Sequence, residues 1–197
     1  MSPPAAVAAA GAAALLGASA IGHATGGAAA GGPAVVTVGD GPAAVATGFT
    51  AGAGRVVTVA HAAPGPTVTV RGEDGVARRA TVLRRDDALD LVLLSVPGLR
   101  GPGMPGASSG VRVRRDGGAT SLPATVVRRA DATVRAGDGR ELARRPVLEL
   151  RAGVRAGDSG APVLRDGRVT GVVFARSRAR GGVAWAVDGT ALSALLR

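Results

Sequence analysis

Ser159 is the residue of this sequence whose surroundings best suit a nucleophile. It lies in Gly157-Asp158-Ser159-Gly160 and directly precedes the apolar run Ala161 to Leu164. Flanking glycines let the backbone turn tightly enough to expose the serine hydroxyl. In such a turn the N–H groups of Gly157 and Ser159 can point at one spot and bind a developing oxyanion. The same tetrapeptide also suits an ordinary turn, and by itself it does not separate the two interpretations.

His61 is the candidate general base. It is the only histidine after the first 32 residues, because the other one, His23, lies in the N-terminal segment. The run Val56 to Ala60 is typical of a strand, which would deliver the imidazole at its end. A lone histidine is more often an ordinary surface or core residue. A nucleophilic serine nevertheless requires a base, and His61 is the side chain of the folded part expected to titrate near neutrality.

Asp90 is the candidate partner of that imidazole. It directly precedes the apolar run Leu91 to Leu94, whereas Asp86 and Asp87 follow two arginines and indicate a solvated charged turn. A carboxylate next to an apolar strand needs a hydrogen-bond partner. Bonding to the imidazole would hold its correct tautomer and stabilise the imidazolium that forms during proton transfer.

Short Val/Thr/Ala runs separated by turn residues must position these three groups. Asp-Gly pairs recur between the runs, a spacing that favours antiparallel strands over helices. The predicted strands, about six in each half, are 35–38, 44–50, 56–60, 67–70, 77–84 and 91–96, then 111–114, 124–129, 132–135, 146–151, 161–164, 169–175 and 183–187.

The chain divides into four predicted segments. Residues 1–32 form a leader, 33–100 a first β unit, 101–110 a Gly/Pro-rich linker, and 111–197 a second β unit with a terminal helix. Asp188 is expected to cap that helix, and Leu192, Leu195 and Leu196 are expected to share one of its faces. The leader carries no charged residue and contains a long apolar run, which indicates an export signal or a membrane anchor. A flexible leader without a targeting role is the alternative interpretation.

Composition excludes several classes of site. The chain has no cysteine, so disulfides and thiolate chemistry are absent, and a single histidine in the folded part argues against a metal site. No cofactor is expected. The net charge is +10, and all 24 basic residues are arginine, which is typical of a high-GC genome. These arginines are scattered and lack interleaved aromatic residues, a pattern that disfavours specific nucleic-acid binding.

Three blocks of the sequence resemble signature blocks of the trypsin/chymotrypsin superfamily. They are Thr58-Val59-Ala60-His61, Asp90-Leu91-Val92-Leu93-Leu94 and Gly157-Asp158-Ser159-Gly160-Ala161-Pro162. The likeness is greatest to compact bacterial branches, the HtrA-type and membrane-tethered periplasmic proteases. It implies an all-β fold of two six-stranded antiparallel β-barrels, with a short C-terminal helix and a His61, Asp90 and Ser159 triad in the cleft between the barrels.

The resemblance also implies a substrate site. A peptide would bind in extended form along Phe174 to Arg176, in the manner of an added strand. The pocket for the residue before the scissile bond (P1) would have Gly153 as its floor, with Phe174, Ala175 and Gly182 as its walls. A glycine floor offers no carboxylate, so small or medium apolar P1 residues are expected. Ala161 stands where many relatives have glycine, and the chain lacks the start typical of zymogens, so the partner of Asp158 stays open.

The sequence therefore predicts an exported serine endopeptidase, secreted or held at the cell envelope, with the N-terminal segment as a candidate membrane tether. Its expected partners are protein or peptide substrates. Two alternatives stay open: a catalytically inactive relative that binds peptides, and an arginine-rich protein that binds polyanions at the envelope.

Overall fold

The structure is a computed structural model. Residues 1–30 of the predicted leader, most of the linker and the Asp-Gly pair at Asp138 lie outside the residues that it describes. The described residues are 31–41, 46–100, 104–105, 109–135 and 142–197.

Strands dominate the described part of the chain. The strands, in chain order, are β1 (Gly31–Gly32), β2 (Val35–Val38), β3 (Ala46–Thr50), β4 (Arg55–Val59), β5 (Thr67–Arg71), β6 (Ala77–Asp86), β7 (Leu91–Ser95), β8 (Met104–Pro105), β9 (Gly110–Arg115), β10 (Gly118–Leu122), β11 (Ala124–Arg135), β12 (Leu142–Ala152), β13 (Pro162–Arg165), β14 (Arg168–Arg176) and β15 (Val183–Asp188). The helical segments are two 3-10 turns (Ala60–Ala62 and Gly189–Ala191) and helix α1 (Leu192–Leu196).

The first half forms a closed antiparallel barrel in the order β2-β3-β4-β7-β6-β5. All six strands predicted for this half are present, with ends that differ by one or two residues. Valine and leucine fill the interior, because β-branched and aliphatic side chains pack well on a pleated surface. Strands β4 and β7 are paired, and Val57 lies opposite Leu93 with both side chains buried.

The second half forms a seven-stranded antiparallel sheet in the order β10-β9-β13-β14-β15-β12-β11. It curls around one aliphatic core, and residues of β11 and β9 approach within 8 Å between Cα atoms. The all-β, chymotrypsin-like architecture is confirmed, but a six-stranded barrel was expected for this half, and the strand segments predicted for it differ from those observed. Strand β10 was missed, and 124–129 and 132–135 form one strand, β11.

Both differences have local causes. Strand β10 (Gly-Ala-Thr-Ser-Leu) lacks the valine-rich pattern and pairs with β9 through the tight Asp116-Gly117 turn, where Asp116 has a φ of 51°. In β11 the Ala-Asp pair at 130–131 resembles a break, yet Asp131 is paired with Pro146 and the ladder continues to Arg135. The register shift in this ladder lies earlier, as a bulge between Val126 and Arg128.

The two halves and the C-terminal helix share a buried seam. This cluster joins side chains of the first barrel with side chains of β14, β15 and α1: Val35, Phe49, Val57, Leu91, Leu93, Val172, Val187, Leu192 and Leu195. Asp188 was expected to cap the terminal helix; it accepts a hydrogen bond from the Thr190 N–H (3.0 Å) and caps the 3-10 turn Gly189–Ala191 that leads into α1. The N-cap of α1 itself is Ala191, which has no side chain that could accept a hydrogen bond. Leu196 was expected on the buried face but is exposed, because the helix ends there.

Among the described residues, no helix is sufficiently long and apolar to cross a membrane.

Candidate active site

His61 lies directly after β4, in the first 3-10 turn. Its backbone leaves the strand at Ala60, whose N–H donates to the carbonyl oxygen of Asp90 at 3.0 Å. The imidazole is 44% exposed, so it faces solvent while its backbone is held against the end of β7. His61 therefore lies just past the end of a strand, as expected from the sequence.

Asp90 holds His61 at two points. Its Oδ1 accepts a hydrogen bond from the His61 backbone N–H (3.0 Å), and its Oδ2 lies 2.8 Å from His61 Nδ1. The carboxylate is buried, with 5% of the residue exposed. Asp90 adopts a left-handed conformation (φ 57°), which aspartate tolerates better than most residues. A carboxylate acceptor at Nδ1 places the proton on that nitrogen and leaves Nε2 as the basic atom.

Arg85 supports the segment that carries His61. Its guanidinium donates to the carbonyl oxygens of Ala60 (3.2 Å) and Ala63, on either side of the histidine. Asp86 accepts a hydrogen bond from the Leu89 N–H and shapes the turn that leads to Asp90. The charged run that the sequence indicated as a solvated turn thus also positions the histidine, a role that its local pattern did not predict.

The loop that carries Ser159 is fastened to the first barrel. The Thr47 N–H donates to the Ser159 carbonyl oxygen (2.8 Å), and the Thr47 hydroxyl donates to the Gly157 carbonyl oxygen (3.1 Å). The Thr58 hydroxyl donates in turn to the Thr47 carbonyl oxygen (2.7 Å). Because Thr58 lies on β4, three residues before His61, these bonds tie the serine loop to the strand that leads to the histidine.

Gly160 allows this close approach. Its φ is +86°, a conformation that favours glycine, and a Cβ there would overlap the Thr47 carbonyl oxygen and the Thr58 hydroxyl. Its N–H donates to the Val173 carbonyl oxygen at 2.7 Å. The glycine after the serine is therefore required by the contact between the two halves.

Two backbone N–H groups of the serine loop stay free. Gly157 has a φ of +91°, and neither its N–H nor that of Ser159 is hydrogen-bonded within the described part of the chain. The Ser159 hydroxyl and His61 Nε2 also make no hydrogen bond to any described residue. These groups are available to a bound ligand, as an oxyanion hole and a nucleophile require.

Asp158 is the buried acid of this loop, and its partner is Arg115 of β9. Arg115 Nε donates to Asp158 Oδ1 at 3.0 Å, its Nη2 pairs with Oδ2, and the Arg155 N–H donates to Oδ2 at 2.7 Å. Asp158 is 1% exposed. Hydrogen bonding to Asp158 raises the pKa of the Arg115 guanidinium above its ordinary value, although burial acts the other way. The run of arginines at 112–115 was the available signal for this partner.

The predicted substrate residues lie around one end of the second sheet. The Ala152 N–H donates to the Gly182 carbonyl oxygen (2.8 Å), which brings Gly153 beside Gly182. Arg176 is paired with Ala184 at the end of β14 and is exposed. Ala175 is paired with Trp185 on the same ladder. Phe174 differs from the others because its ring packs against the buried cluster of the first barrel and against the seam cluster.

Comparisons with known proteins identify the family of this chain. Residues 46–172 match the trypsin-like peptidase domain family. Serine protease Rv3671c of Mycobacterium tuberculosis is 34% identical over 142 residues, which are 65% of this chain and 35% of that protein. The chain thus spans about a third of the length of the curated relatives that it matches.

Solved structures of proteases superpose on this chain. The Rv3671c protease of M. tuberculosis in its active form superposes with a TM-score of 0.71 at 28% identity, covering 83% of this chain and 79% of that one. The MamO protease domain of Magnetospirillum magneticum superposes with a TM-score of 0.67 at 20% identity, covering 85% and 98%, and shows a common fold alone. With the family match spanning most of both β units, the chain belongs to the trypsin-like peptidase family.

Proposed function

We propose that this protein is a serine endopeptidase with His61, Asp90 and Ser159 as its catalytic triad. The observation that carries the proposal is the pair of hydrogen bonds by which buried Asp90 holds the backbone and Nδ1 of His61. They orient the ring and leave Nε2 to act as a base. The serine loop, fastened to the histidine strand through Thr47 and Thr58, supplies the nucleophile.

The reaction follows from these roles. His61 Nε2 takes the proton of the Ser159 hydroxyl while the oxygen attacks the carbonyl carbon of the scissile peptide bond. The N–H groups of Gly157 and Ser159 bind the oxyanion of the tetrahedral intermediate. His61 then gives the proton to the leaving amine, and an acyl-enzyme remains on Ser159. Water, activated by the same imidazole, hydrolyses this ester and restores the free hydroxyl.

The substrate is a protein or peptide bound in extended form. Backbone groups of Phe174 to Arg176 pair with it as with an additional strand, and Gly153, Ala175 and Gly182 surround the P1 side chain. This arrangement is supported by the hydrogen bond that joins the Ala152–Gly153 segment to Gly182.

A fluorophosphonate probe tests the proposal, because it reacts covalently with an activated serine. We expect the full chain to be labelled, Ser159→Ala to remain unlabelled, and Ser121→Ala to be labelled like the wild type, since Ser121 is an exposed serine of β10. Equal labelling of the wild type and Ser159→Ala would reject Ser159 as the nucleophile. A folded wild type that binds peptides without being labelled would instead favour the inactive, peptide-binding alternative.

We also propose export to the cell envelope or the medium. The support is the uncharged leader with its apolar run between residues 5 and 22. N-terminal sequencing of the protein recovered from each cell fraction tests this: a shortened N-terminus in an extracytoplasmic fraction supports a cleaved signal. An intact N-terminus in the membrane fraction supports a tether, and an intact N-terminus in the cytoplasm contradicts export.

A further inference from the structure

Exposed arginines lie around the substrate edge of the second sheet. They stand at the end of β12, before the serine loop, at the end of β14 and in the turn between β14 and β15: Arg151, Arg155, Arg176, Arg178 and Arg180. We call them the rim arginines. The Ser177 N–H donates to the Val183 carbonyl oxygen (2.8 Å), and Val183 lies opposite Arg151 on β12. The end of β12 and the turn after β14 therefore lie at the same end of the sheet.

The buried acids at this end of the sheet are already paired. Glu149 of β12 accepts a hydrogen bond from Arg128 Nε at 2.7 Å, and its other carboxylate oxygen lies 3.7 Å from Arg180 Nη1. Asp158 is buried and paired with Arg115. Of the rim arginines, Arg180 thus shares one of these carboxylates.

The other rim arginines carry positive charge that nearby acids leave largely uncompensated. Arg155 lies 3.5 Å from Asp116, but the Asp116 side chain is 92% exposed, and such surface pairs contribute little. The side chains of Arg151, Arg176 and Arg178 form no hydrogen bond or ion pair with any described residue. The rim therefore presents a positive potential to a ligand that binds along the substrate edge.

Arg176 is the rim arginine that belongs to the substrate edge itself. It ends β14 and lies opposite Ala184 of β15, and opposing residues of an antiparallel pair project from the same face of the sheet. Ala184 belongs to the buried core cluster of the second half, whereas Arg176 is exposed at the end of its strand. Its side chain thus stands at the open end of that face, next to the backbone on which the peptide is proposed to pair.

We propose that Arg176 selects substrates that carry an acidic side chain among the three residues preceding P1. The inference rests on the proposed function and names the substrate class of that site. P1 enters the pocket beside Gly153, so the carboxylate that meets Arg176 belongs to a residue before P1. A guanidinium and a carboxylate can form two parallel hydrogen bonds. The other rim arginines attract acidic peptides at longer range, an effect that salt weakens.

Peptides that differ in the charge of a single side chain test this preference. With P1 fixed as alanine, each of the three preceding positions is set in turn to Glu or to its uncharged isostere Gln. We expect at least one Glu peptide to have a kcat/KM about three- to tenfold higher than its Gln counterpart at low ionic strength. This ratio should fall toward one in about 0.5 M NaCl. Equal kcat/KM values for every Glu and Gln pair at low ionic strength would overturn the proposal.

The ratio of kcat/KM for the Glu and Gln peptides assigns the preference to a residue, because a general loss of activity cancels in it. We expect Arg176→Gln to bring the ratio to about one and Arg176→Glu to bring it below one. Arg168→Gln is the matched control, because Arg168 is an exposed arginine at the other end of β14. It should change neither the ratio nor the activity toward the Gln peptide. A wild-type ratio in Arg176→Gln would contradict the assignment.

Binding without turnover separates this inference from the proposed function. In Ser159→Ala protein, we expect the preferred Glu peptide, labelled with a dye, to bind several-fold more tightly than its Gln counterpart by fluorescence anisotropy. Arg176→Gln should remove that difference. Protein that binds heparin but binds the two peptides equally would contradict the proposal and favour a general polyanion surface. Failure of the proposed function would appear separately, as wild-type protein that neither reacts with the fluorophosphonate probe nor cleaves any of these peptides.

Discussion

Asp90 contributes to the site through its backbone conformation as well as through its charge. Asp90 has a left-handed φ directly before β7, and from there one carboxylate oxygen meets the His61 N–H and the other meets Nδ1. An asparagine could keep the first of these contacts, but its amide can present an N–H instead of an acceptor to Nδ1. The tautomer of His61 therefore depends on the carboxylate itself.

Substitutions of the proposed triad should remove activity while leaving the fold intact. We expect Asp90→Asn to lower kcat about 10⁴-fold and Ser159→Ala or His61→Ala to lower it on the order of a million-fold. Double substitutions should cost little more than single ones, because the three groups act as a unit. Peptide hydrolysis and thermal unfolding of each variant check this. Substantial turnover by Ser159→Ala contradicts the assignment.

Specificity at P1 is predicted to favour small or medium apolar side chains such as Ala, Val, Leu and Met. Gly153 offers no carboxylate at the predicted pocket floor, and the nearby acids are already paired, Glu149 with Arg128 at 2.7 Å and Asp158 with Arg115. A basic P1 residue would lose its hydration there without a counter-charge. A peptide library varied only at P1 measures the preference, and selection of Arg or Lys would reject this pocket while leaving the triad untouched.

At the level of elements, β9 anchors the serine loop from within the second half. Its last residue, Arg115, binds Asp158 and also donates to the Gly153 carbonyl oxygen at 3.0 Å. The strand thereby fixes both the residue before the nucleophile and the segment expected to form the pocket floor. The N–H groups of Gly157 and Ser159 flank Asp158, so their direction depends on this ion pair.

Arg115→Met should destabilise the protein and impair the oxyanion hole. Removing one partner of a buried ion pair leaves the other charge uncompensated, which typically costs about 3–5 kcal/mol. Denaturant unfolding and probe labelling of the folded fraction check both effects. The matched control is Arg144→Gln, which breaks an exposed pair and should change stability by about 0–1 kcal/mol. Equal free energies of unfolding for the two variants would show that the buried pair stabilises the protein no more than the exposed pair does.

The turn between β5 and β6 contains an ion pair with a defined pH dependence. Hydrogen bonds from Arg78, and then from the Val76 N–H, lower the pKa of Asp74 from 3.8 to about 2. A lowered folded-state pKa means that the contribution of Asp74 to stability is complete above 3.8 and disappears as the pH falls toward 2.

Asp74→Asn should therefore lower the Tm slightly at neutral pH, and the difference from the wild type should shrink as the pH drops from 3.8 to about 2. The effect is small because the pair is exposed. Thermal unfolding across this pH range measures it. Asp166→Asn is the control, because the Asp166 side chain makes no hydrogen bond among the described residues. The Tm difference between this variant and the wild type should not shrink as the pH drops from 3.8 to about 2. A constant Asp74→Asn difference would contradict the lowered pKa.

On the scale of the whole molecule, the active site depends on how the two halves meet. The bonds from Thr47 to the serine loop span 110 residues of sequence, and the seam cluster buries side chains of both halves and of α1. Neither half contains all three residues of the proposed triad. Catalysis therefore requires that the halves dock in one orientation.

Gly160→Ala should disrupt that docking. The added Cβ would overlap backbone of the first barrel and would stand at a positive φ, so the serine loop would have to move away from Thr47. We expect a markedly lower Tm and loss of probe labelling. Gly153→Ala is the matched control for stability, because its Cβ would meet no atom within 4 Å. A Gly160→Ala protein as stable and as reactive as the wild type would show that the close approach is not required.

Local sequence determined the strands of the first barrel, the turns that join them and the three candidate catalytic residues. Valine-rich runs and Asp-Gly pairs carry this information because strand propensity and turn conformation depend on neighbouring residues. His61 and Ser159 stood out for the same reason, since each has a distinctive local setting. The P1 preference and the residues of the substrate edge stay predictions.

Tertiary structure decided the contacts that hold those residues in place. Arg115 meets Asp158 across 43 residues, and Arg145 meets Phe174 from a different strand of the same sheet. Strand β10 formed despite its weak pattern because β9 offered it a paired edge. Such partners depend on strand order, register and the docking of the two halves, and the free energy of each contact exists only once distant segments have been brought together. For this reason the sequence identified which groups could react, whereas the folded chain determined what orients them.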